Sequence, residues 1–135
     1  MTVIFLLGII VFGVLVLMLV ATIGKRRFGP SGEKYFQEKW VELLTRVRTP
    51  EGMVLAVIDA DKLLDEALRK KHYKGKTTGE RLVAAQRDIK DNDSVWYAHK
   101  LRNRLVHEPD VKLRKNEAQN ALAGFRACLK DLGVL

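Results

Sequence analysis

The chain has 135 residues and a formal net charge of +8, and no charged side chain precedes Lys25. Roughly 110 residues remain after the first apolar segment, which is enough for one compact domain and too few for two. The single cysteine, Cys128, excludes an intramolecular disulfide, and no spacing is typical of a zinc site. We therefore expect no metal and no cofactor. The basic balance favours anionic partners such as phospholipid headgroups or nucleic acid.

The first segment, residues 3–23, is almost purely apolar, with no charge and Thr22 as its polar side chain. About 20 apolar residues that each rise 1.5 Å match the ~30 Å hydrocarbon core of a bilayer. A cleaved signal peptide is the alternative, but no basic residue precedes the segment, and Ala21-Thr22-Ile23 is a poor cleavage site. Residues 1–24 are therefore predicted to form an uncleaved transmembrane anchor in the lipid bilayer.

Three consecutive basic residues, Lys25, Arg26 and Arg27, follow the apolar segment directly. Basic residues beside a transmembrane helix stay on the cytoplasmic side. We therefore expect a single-pass protein of the cell membrane, with its N-terminus outside and its C-terminal domain in the cytoplasm. The same three side chains are expected to contact lipid headgroups. Glycine and proline then predict a break in the helix, so residues 25–32 are expected to form a basic juxtamembrane linker.

Residues 33–135 are predicted to form an all-α soluble domain, because no segment alternates with period two and helix signals are frequent. Five helices are expected, at about 33–47, 50–71, 78–89, 95–107 and 115–132. Thr49 and Thr77 are expected to cap the second and third helices, Gly75 to end the second, and a turn over residues 91–94 to cap the fourth. Short connections predict an antiparallel bundle of about five helices behind the transmembrane helix.

Two of the predicted helices direct charged side chains toward the core. On a helical wheel of about 100° per residue, Asp61 and Asp65 fall on the apolar face of the second helix. In the fourth helix Arg102 points into the apolar arc, and His99 lies beside it one turn earlier. Because buried charges come paired, we expect Arg102 to pair with Asp61, Asp65 or both. Such a cluster is either a structural ion pair that fixes helix packing or part of a functional site.

The fourth helix also contains a recognisable motif, Arg102-Asn103-x-x-x-His107. An arginine followed by four residues and a histidine, with a polar residue directly after the arginine, resembles the motif of the HEPN superfamily (higher eukaryotes and prokaryotes nucleotide-binding domains). Those domains are small all-helical bundles, often metal-independent endoribonucleases and often active as dimers. The resemblance covers the architecture of residues 33–135 and, as a motif, positions 102–107. The whole chain is also similar to small membrane-anchored bacterial proteins.

The resemblance implies a role for each residue of the motif. His107 would act on the RNA 2′-hydroxyl or on the leaving oxygen, since imidazole titrates near neutral pH. Arg102 would stabilise charge on the scissile phosphate, and Asn103 would orient the histidine or bind phosphate. Asp61 and Asp65 would orient Arg102. A homodimer would bring two copies of the motif together.

Two functions remain open at this point. The chain is either a membrane-anchored module that binds or cleaves RNA, or a non-enzymatic adaptor or scaffold for an unidentified protein partner. Residues 69–76 form a dense basic run that is typical of binding to phosphate, RNA or anionic lipid, or of a solvated loop that follows a helix. Trp40, Trp96 and Cys128 are expected to be core side chains.

Overall fold

The structure is a computed structural model that describes residues 1–24 and 30–135, with side chains described outside residues 21–31. Over these residues the chain is all-α, as predicted, and without strands. Its helices are α1 (Thr2–Gly24), α2 (Pro30–Leu44), α3 (Pro50–Lys70), α4 (Thr78–Ala85), α5 (Asn92–His107) and α6 (Lys115–Asp131).

The first helix, α1, is long and apolar enough over Thr2–Val20 to cross a membrane. The large apolar side chains that the structure describes in this helix are all exposed, from Val16 at 42 % to Ile4 at 75 %. It is therefore not a core helix of the bundle, whereas a membrane anchor and a signal sequence both fit its length and composition. The predicted topology residues, Lys25, Arg26 and Arg27, lie outside the described residues.

The remaining helices form a bundle in which α3 contacts α2, α4, α5 and α6. Near the start of α2, Tyr35 donates a hydrogen bond to Glu66 near the end of α3, over 3.1 Å. Beyond α4, the backbone N–H of Lys90 bonds Asp131 at the end of α6, over 2.9 Å. The Tyr73 hydroxyl, just after α3, donates to Asp88, shortly before α5, over 2.6 Å, so the end of α3 lies near the start of α5. Successive long helices therefore run antiparallel. We call the end of the bundle that contains the start of α2 and the end of α3 the proximal end. The opposite end contains the connections 45–49 and 108–114, and we call it the distal end.

The core lies between α3 and the helices around it. Trp40 and Cys128 are buried and Trp96 packs against the core, as expected. Leu44 and Val106 are large apolar side chains that remain 39 % and 46 % exposed. The largest apolar side chains that are fully buried come from all of α2 to α6 and from the C-terminal tail: Phe36, Val57, Leu64, Leu68, Leu82, Val95, Phe125, Leu129 and Val134.

The ends of α2 differ from the prediction at both sides. The helix begins at Pro30 rather than near residue 33, because proline is well suited to a first helical position. Residues 30–32 thus belong to the helix rather than to a linker. The helix ends at Leu44 rather than Val47, because the next residues form tighter three-residue turns, such as Thr45 N–H to the Glu42 carbonyl over 3.2 Å.

The predicted end of α3 near Lys71 is confirmed, since the helix ends at Lys70, but the prediction that Gly75 forms its exit is wrong. The chain leaves the helix at His72, which adopts φ 64°. The N–H groups of His72 and Tyr73 bond the carbonyls of Arg69 and Leu68 over 2.9 and 3.1 Å, as in a Schellman motif. Gly75 serves the next turn instead, since a Cβ atom at this position would lie 2.7 Å from the Cβ of Glu80.

The segment between α4 and α5 also differs from the prediction. The third bundle helix ends at Ala85 rather than near residue 89. The Asn92 amide donates to the carbonyls of Gln86 and Ile89 over 3.0 and 2.9 Å, which holds the chain in a turn. The fourth bundle helix begins at Asn92, three residues early, and Asp91 from the predicted capping turn is its N-cap. The predicted caps Thr49 and Thr77 are also confirmed, each accepting a backbone N–H bond.

Candidate functional site

An open groove of about 790 Å³ lies between α3, the start of α4 and α5. We call it the α3–α5 groove. Its lining includes all six residues that the sequence singled out: Asp61, Asp65, His99, Arg102, Asn103 and His107. Helical wheels place Arg102 on the inner side of α5, and the groove is the opening through which solvent reaches it.

Asp61 is the most deeply buried member of this group, with 1 % of its surface exposed. Its Oδ1 lies 2.7 Å from His99 Nδ1, and its Oδ2 lies 3.3 Å from Arg102 Nε. The second contact is an ion pair without hydrogen-bond alignment, since Arg102 Nε is buried and makes no hydrogen bond to the described residues. Asp61 therefore holds both α5 side chains against α3.

Asn103 closes these contacts into a ring. Arg102 Nη1 donates to Asn103 Oδ1 over 2.9 Å, and Asn103 Nδ2 lies 3.3 Å from His99 Nε2. A guanidinium group only donates, so the amide oxygen must face Arg102 and the amide nitrogen must face His99. His99 Nε2 is then the acceptor and Nδ1 carries the proton donated to Asp61. We call these four side chains the Asp61 ring.

Asp65 takes different partners, although the sequence allowed it to pair with Arg102. Its Oδ1 accepts a 2.9 Å bond from Arg81 Nε and a 3.0 Å bond from the Thr78 hydroxyl. Its Oδ2 lies 2.8 Å from Arg69 Nη2. The two acids of α3 therefore belong to separate clusters, one with α5 and one with the start of α4.

Arg81 is the site residue that sequence reasoning missed. It is 6 % exposed, and besides Asp65 it binds the carbonyl oxygen of Gly75 through Nη1. A wheel of α4 would have indicated this position, since Arg81 lies four residues before the buried Ala85 and next to the buried Leu82. The short helix thus carries a fourth inward-facing charge, which fixes the turn before the helix.

His107 reaches the groove from its edge. It is the last residue of α5 and is exposed. His107 lies five positions after Arg102, which places the two side chains about 140° apart around the helix axis. They therefore approach the groove from different directions. The His107 ring makes no hydrogen bond or ion pair with the described residues. The structure therefore brings His107 and Arg102 to one groove without a direct contact between them.

The charges of the groove favour an anion. Five cationic side chains line it, against the three acids Asp61, Asp65 and Glu66. Arg102 neutralises the buried Asp61, and Arg81 neutralises the half-buried Asp65. The remaining cations, Lys62, Arg69 and Lys76, lie at the exposed edge, and the α4 N-terminus adds partial positive charge. Among the described residues no group of His, Cys, Asp and Glu is arranged to hold a metal ion.

Comparisons of the chain with protein-family models, with curated proteins and with solved structures found no match. The resemblance to the HEPN superfamily therefore stays a prediction from the motif at positions 102–107. The functional argument rests on the groove and on the long apolar helix.

Proposed function

We propose that the chain is a single-pass, membrane-anchored HEPN-like module that binds RNA in the α3–α5 groove. In this proposal α1 is the anchor and the bundle lies in the cytoplasm. The observation that carries it is the convergence of Arg102, Asn103 and His107 on one groove whose exposed edge is cationic. The three residues come from a motif that resembles those of RNA-processing bundles.

The groove suits a phosphodiester backbone. Single-stranded nucleic acid is bound mainly by positively charged grooves that follow the phosphates. A volume of about 790 Å³ is within the usual range for a bound small ligand and has room for a short stretch of nucleotide. Arg102 Nη2 makes no hydrogen bond to the described residues, and its side chain is 25 % exposed, so it is free to contact a phosphate oxygen.

RNA cleavage requires positioned catalytic side chains in the groove, in addition to a surface that binds RNA. Arg102 is held in place by the Asp61 ring, which is the preorganisation needed to stabilise charge on a phosphate. His107 has no described partner that orients its ring, whereas efficient general acid–base catalysis needs a positioned imidazole. We therefore propose binding as the primary activity. In a cleaving form, a second copy of the chain would supply the group that positions His107.

A non-enzymatic adaptor is the second candidate, and one observation favours it. The Asp61 ring engages both Asp61 oxygens, both His99 nitrogens and the Arg102 guanidinium without any ligand. Such a cluster is sufficient by itself to fix the packing of α5 on α3. The groove would then be a by-product of helix packing, and an unidentified protein partner would bind elsewhere on the bundle.

RNA binding by the full chain in lipid nanodiscs separates these two candidates. We expect a labelled single-stranded RNA to bind in EDTA, with an affinity that the double substitution Lys62→Gln/Lys76→Gln lowers by at least about tenfold. The matched control is Lys112→Gln/Lys115→Gln, which removes the same charge from the distal end. Equal affinity in the two double variants would exclude the groove as the RNA site. If the folded wild type does not bind RNA, the adaptor is the remaining candidate function.

The orientation of the anchor has its own test. A protease added to intact cells should spare the bundle if it lies in the cytoplasm, and should digest it after the cells are opened. Digestion in intact cells would reverse the proposed topology.

A further inference from the structure

Residues 69–76 contain five lysine or arginine side chains and no acid. We call this segment the basic turn. The side chains of Lys74 and Lys76 are exposed and form no ion pair with the described residues, whereas Arg69 and Lys70 pair with Asp65 and Glu66. The basic turn therefore presents unneutralised positive charge to solvent.

The basic turn lies at the proximal end of the bundle. Lys70 Nζ lies 4.7 Å from the ring centre of Tyr35, which is in the second turn of α2. Tyr35 also bonds Glu66 on the same helix as Lys70. The turn that follows α3 is thus next to the part of the bundle that the chain reaches first after α1.

Chain connectivity limits how far this end can lie from the end of α1. The apolar helix ends at Gly24 and α2 begins at Pro30. Six residues span at most about 22 Å even when fully extended. If α1 crosses a bilayer, as the proposed function holds, the start of α2 stays within about 22 Å of the end of the anchor, which is close enough for the proximal end to reach the headgroups.

The basic turn is also fixed in shape. The Gly75 carbonyl accepts a bond from Arg81, which is itself buried against Asp65. The Tyr73 hydroxyl donates to Asp88 over 2.6 Å. Its lysines are consequently displayed on a preformed surface, and binding there needs little ordering of the backbone.

We propose that the basic turn docks on anionic phospholipid headgroups of the leaflet from which α1 emerges. Lipid is favoured over RNA here because the tether holds this surface at high effective concentration beside the bilayer. Cations near an anionic leaflet are attracted to it individually and additively. Docking would direct the proximal edge of the α3–α5 groove, formed by Arg69 and Lys76, toward the membrane and leave His107 at the edge farther from it. The inference rests on the proposed anchor and not on RNA binding.

Lysine footprinting of the full chain in nanodiscs tests this docking. One nanodisc contains only phosphatidylcholine and the other contains about one third phosphatidylglycerol, whose surface potential attracts basic side chains. We expect an amine-acylating reagent, read out by mass spectrometry, to modify Lys74 and Lys76 at least about fivefold more slowly in the anionic nanodisc. Lys112 and Lys115 at the distal end should react equally in both. High salt should abolish the difference.

A pair of variants separates docking by the basic turn from a general effect of charge. Docking should also protect Lys70, which belongs to the same basic turn, from acylation in the anionic nanodisc. In Lys74→Gln/Lys76→Gln the docking surface loses two unpaired cations, so this protection of Lys70 should be lost. The matched control, Lys112→Gln/Lys115→Gln, removes the same charge from exposed positions at the distal end and should keep this protection. Equal protection of Lys70 in the two double variants would contradict docking through the basic turn.

Three further outcomes would overturn the proposal. Equal reactivity of Lys74 and Lys76 in the two nanodiscs would exclude lipid docking while leaving the anchor intact. Protection that appears only when single-stranded RNA is added to phosphatidylcholine nanodiscs would assign the basic turn to RNA. If the chain does not stay in the nanodisc, α1 is not a membrane anchor, and the docking proposal fails with it.

Discussion

Asp61 and His99 are 38 residues apart in sequence, yet Asp61 Oδ1 lies 2.7 Å from His99 Nδ1 in the interior of the bundle. This bond joins α3 to α5 at the point where Arg102 meets the other oxygen of Asp61. Asp61 is therefore the polar centre of the packing between the two helices. Any role of Arg102 in the groove depends on this carboxylate.

Removal of the Asp61 carboxylate should strongly destabilise the bundle. In Asp61→Ala, His99 Nδ1 and the Arg102 guanidinium lose their shared partner in a buried place, and we expect a loss of about 3–5 kcal/mol in the free energy of unfolding. Trp40, which is buried in the core, reports unfolding by its fluorescence in a urea titration. Asp110→Ala in the exposed distal connection is the control and should change stability little. A loss below about 1 kcal/mol would contradict a central role for Asp61.

The close contact between α5 and α6 gives a second stability prediction. A Cβ atom on Gly124 would lie 2.5 Å from the carbonyl oxygen of Ser94, so the two helices must separate to accept it. We expect Gly124→Ala to lower the free energy of unfolding by about 1–3 kcal/mol, the usual cost of overpacking. The neighbouring exposed Ala123 supplies the control, since Ala123→Ser adds an atom into solvent. Equal melting temperatures for the two variants would argue against this close packing.

Stability should also fall in alkaline solution because of Cys128. Burial raises the pKa of its thiol from 9.0 to about 12. The unfolded chain therefore releases this proton at lower pH than the folded chain does. Below pH 9 the thiol is protonated in both states, and the folded state keeps its full stability. As pH rises from 9 toward 12, the free energy of unfolding falls by at most about 1.4 kcal/mol per pH unit.

Urea titrations at several pH values in this window test the effect, with Cys128→Ala as the variant that removes it. Burial and the bond to Asp88 also raise the pKa of Tyr73, which acts in the same direction at higher pH. Tyr73→Phe therefore isolates the tyrosine contribution. If Cys128→Ala leaves the pH dependence of stability in the lower part of this window unchanged, the thiol is not its source.

Local sequence signals predicted where the helices lie. They did not predict the helix ends that depend on contacts with residues of the following helix. Thr49 and Thr77 cap their helices as expected, and the cap of α5, Asp91, comes from the predicted capping turn, because a cap needs only residues within one turn. The exit of α3 at His72 rather than Gly75 was not predictable, since the turn is held by Arg81 from the next helix. The shortened α4 likewise depends on the side chain of Asn92.

The candidate site was also predicted in part: the sequence indicated its inward-facing charges but not how they pair. Wheels of α3 and α5 were enough to indicate inward charges, and the structure places Arg102 beside Asp61. They did not indicate which acid pairs with which arginine, because that depends on how α4 crosses α3. The buried Arg81 takes Asp65, and this leaves Asp61 for His99 and Arg102. Pairing between helices is a property of tertiary packing that periodicity within one helix does not contain.

The last prediction concerns His107 and distinguishes binding from cleavage. His107 is exposed and has no partner among the described residues. His107→Ala should therefore change the free energy of unfolding little and leave the RNA affinity within about twofold of the wild type. If the full chain cleaves RNA in EDTA, the substitution should lower the cleavage rate by about 10²–10⁴-fold, the usual contribution of a general acid or base. Cleavage that survives the substitution would assign the chemistry to another residue. Because a second copy would be needed to position His107, cleavage should also rise more steeply than linearly with the number of chains per nanodisc.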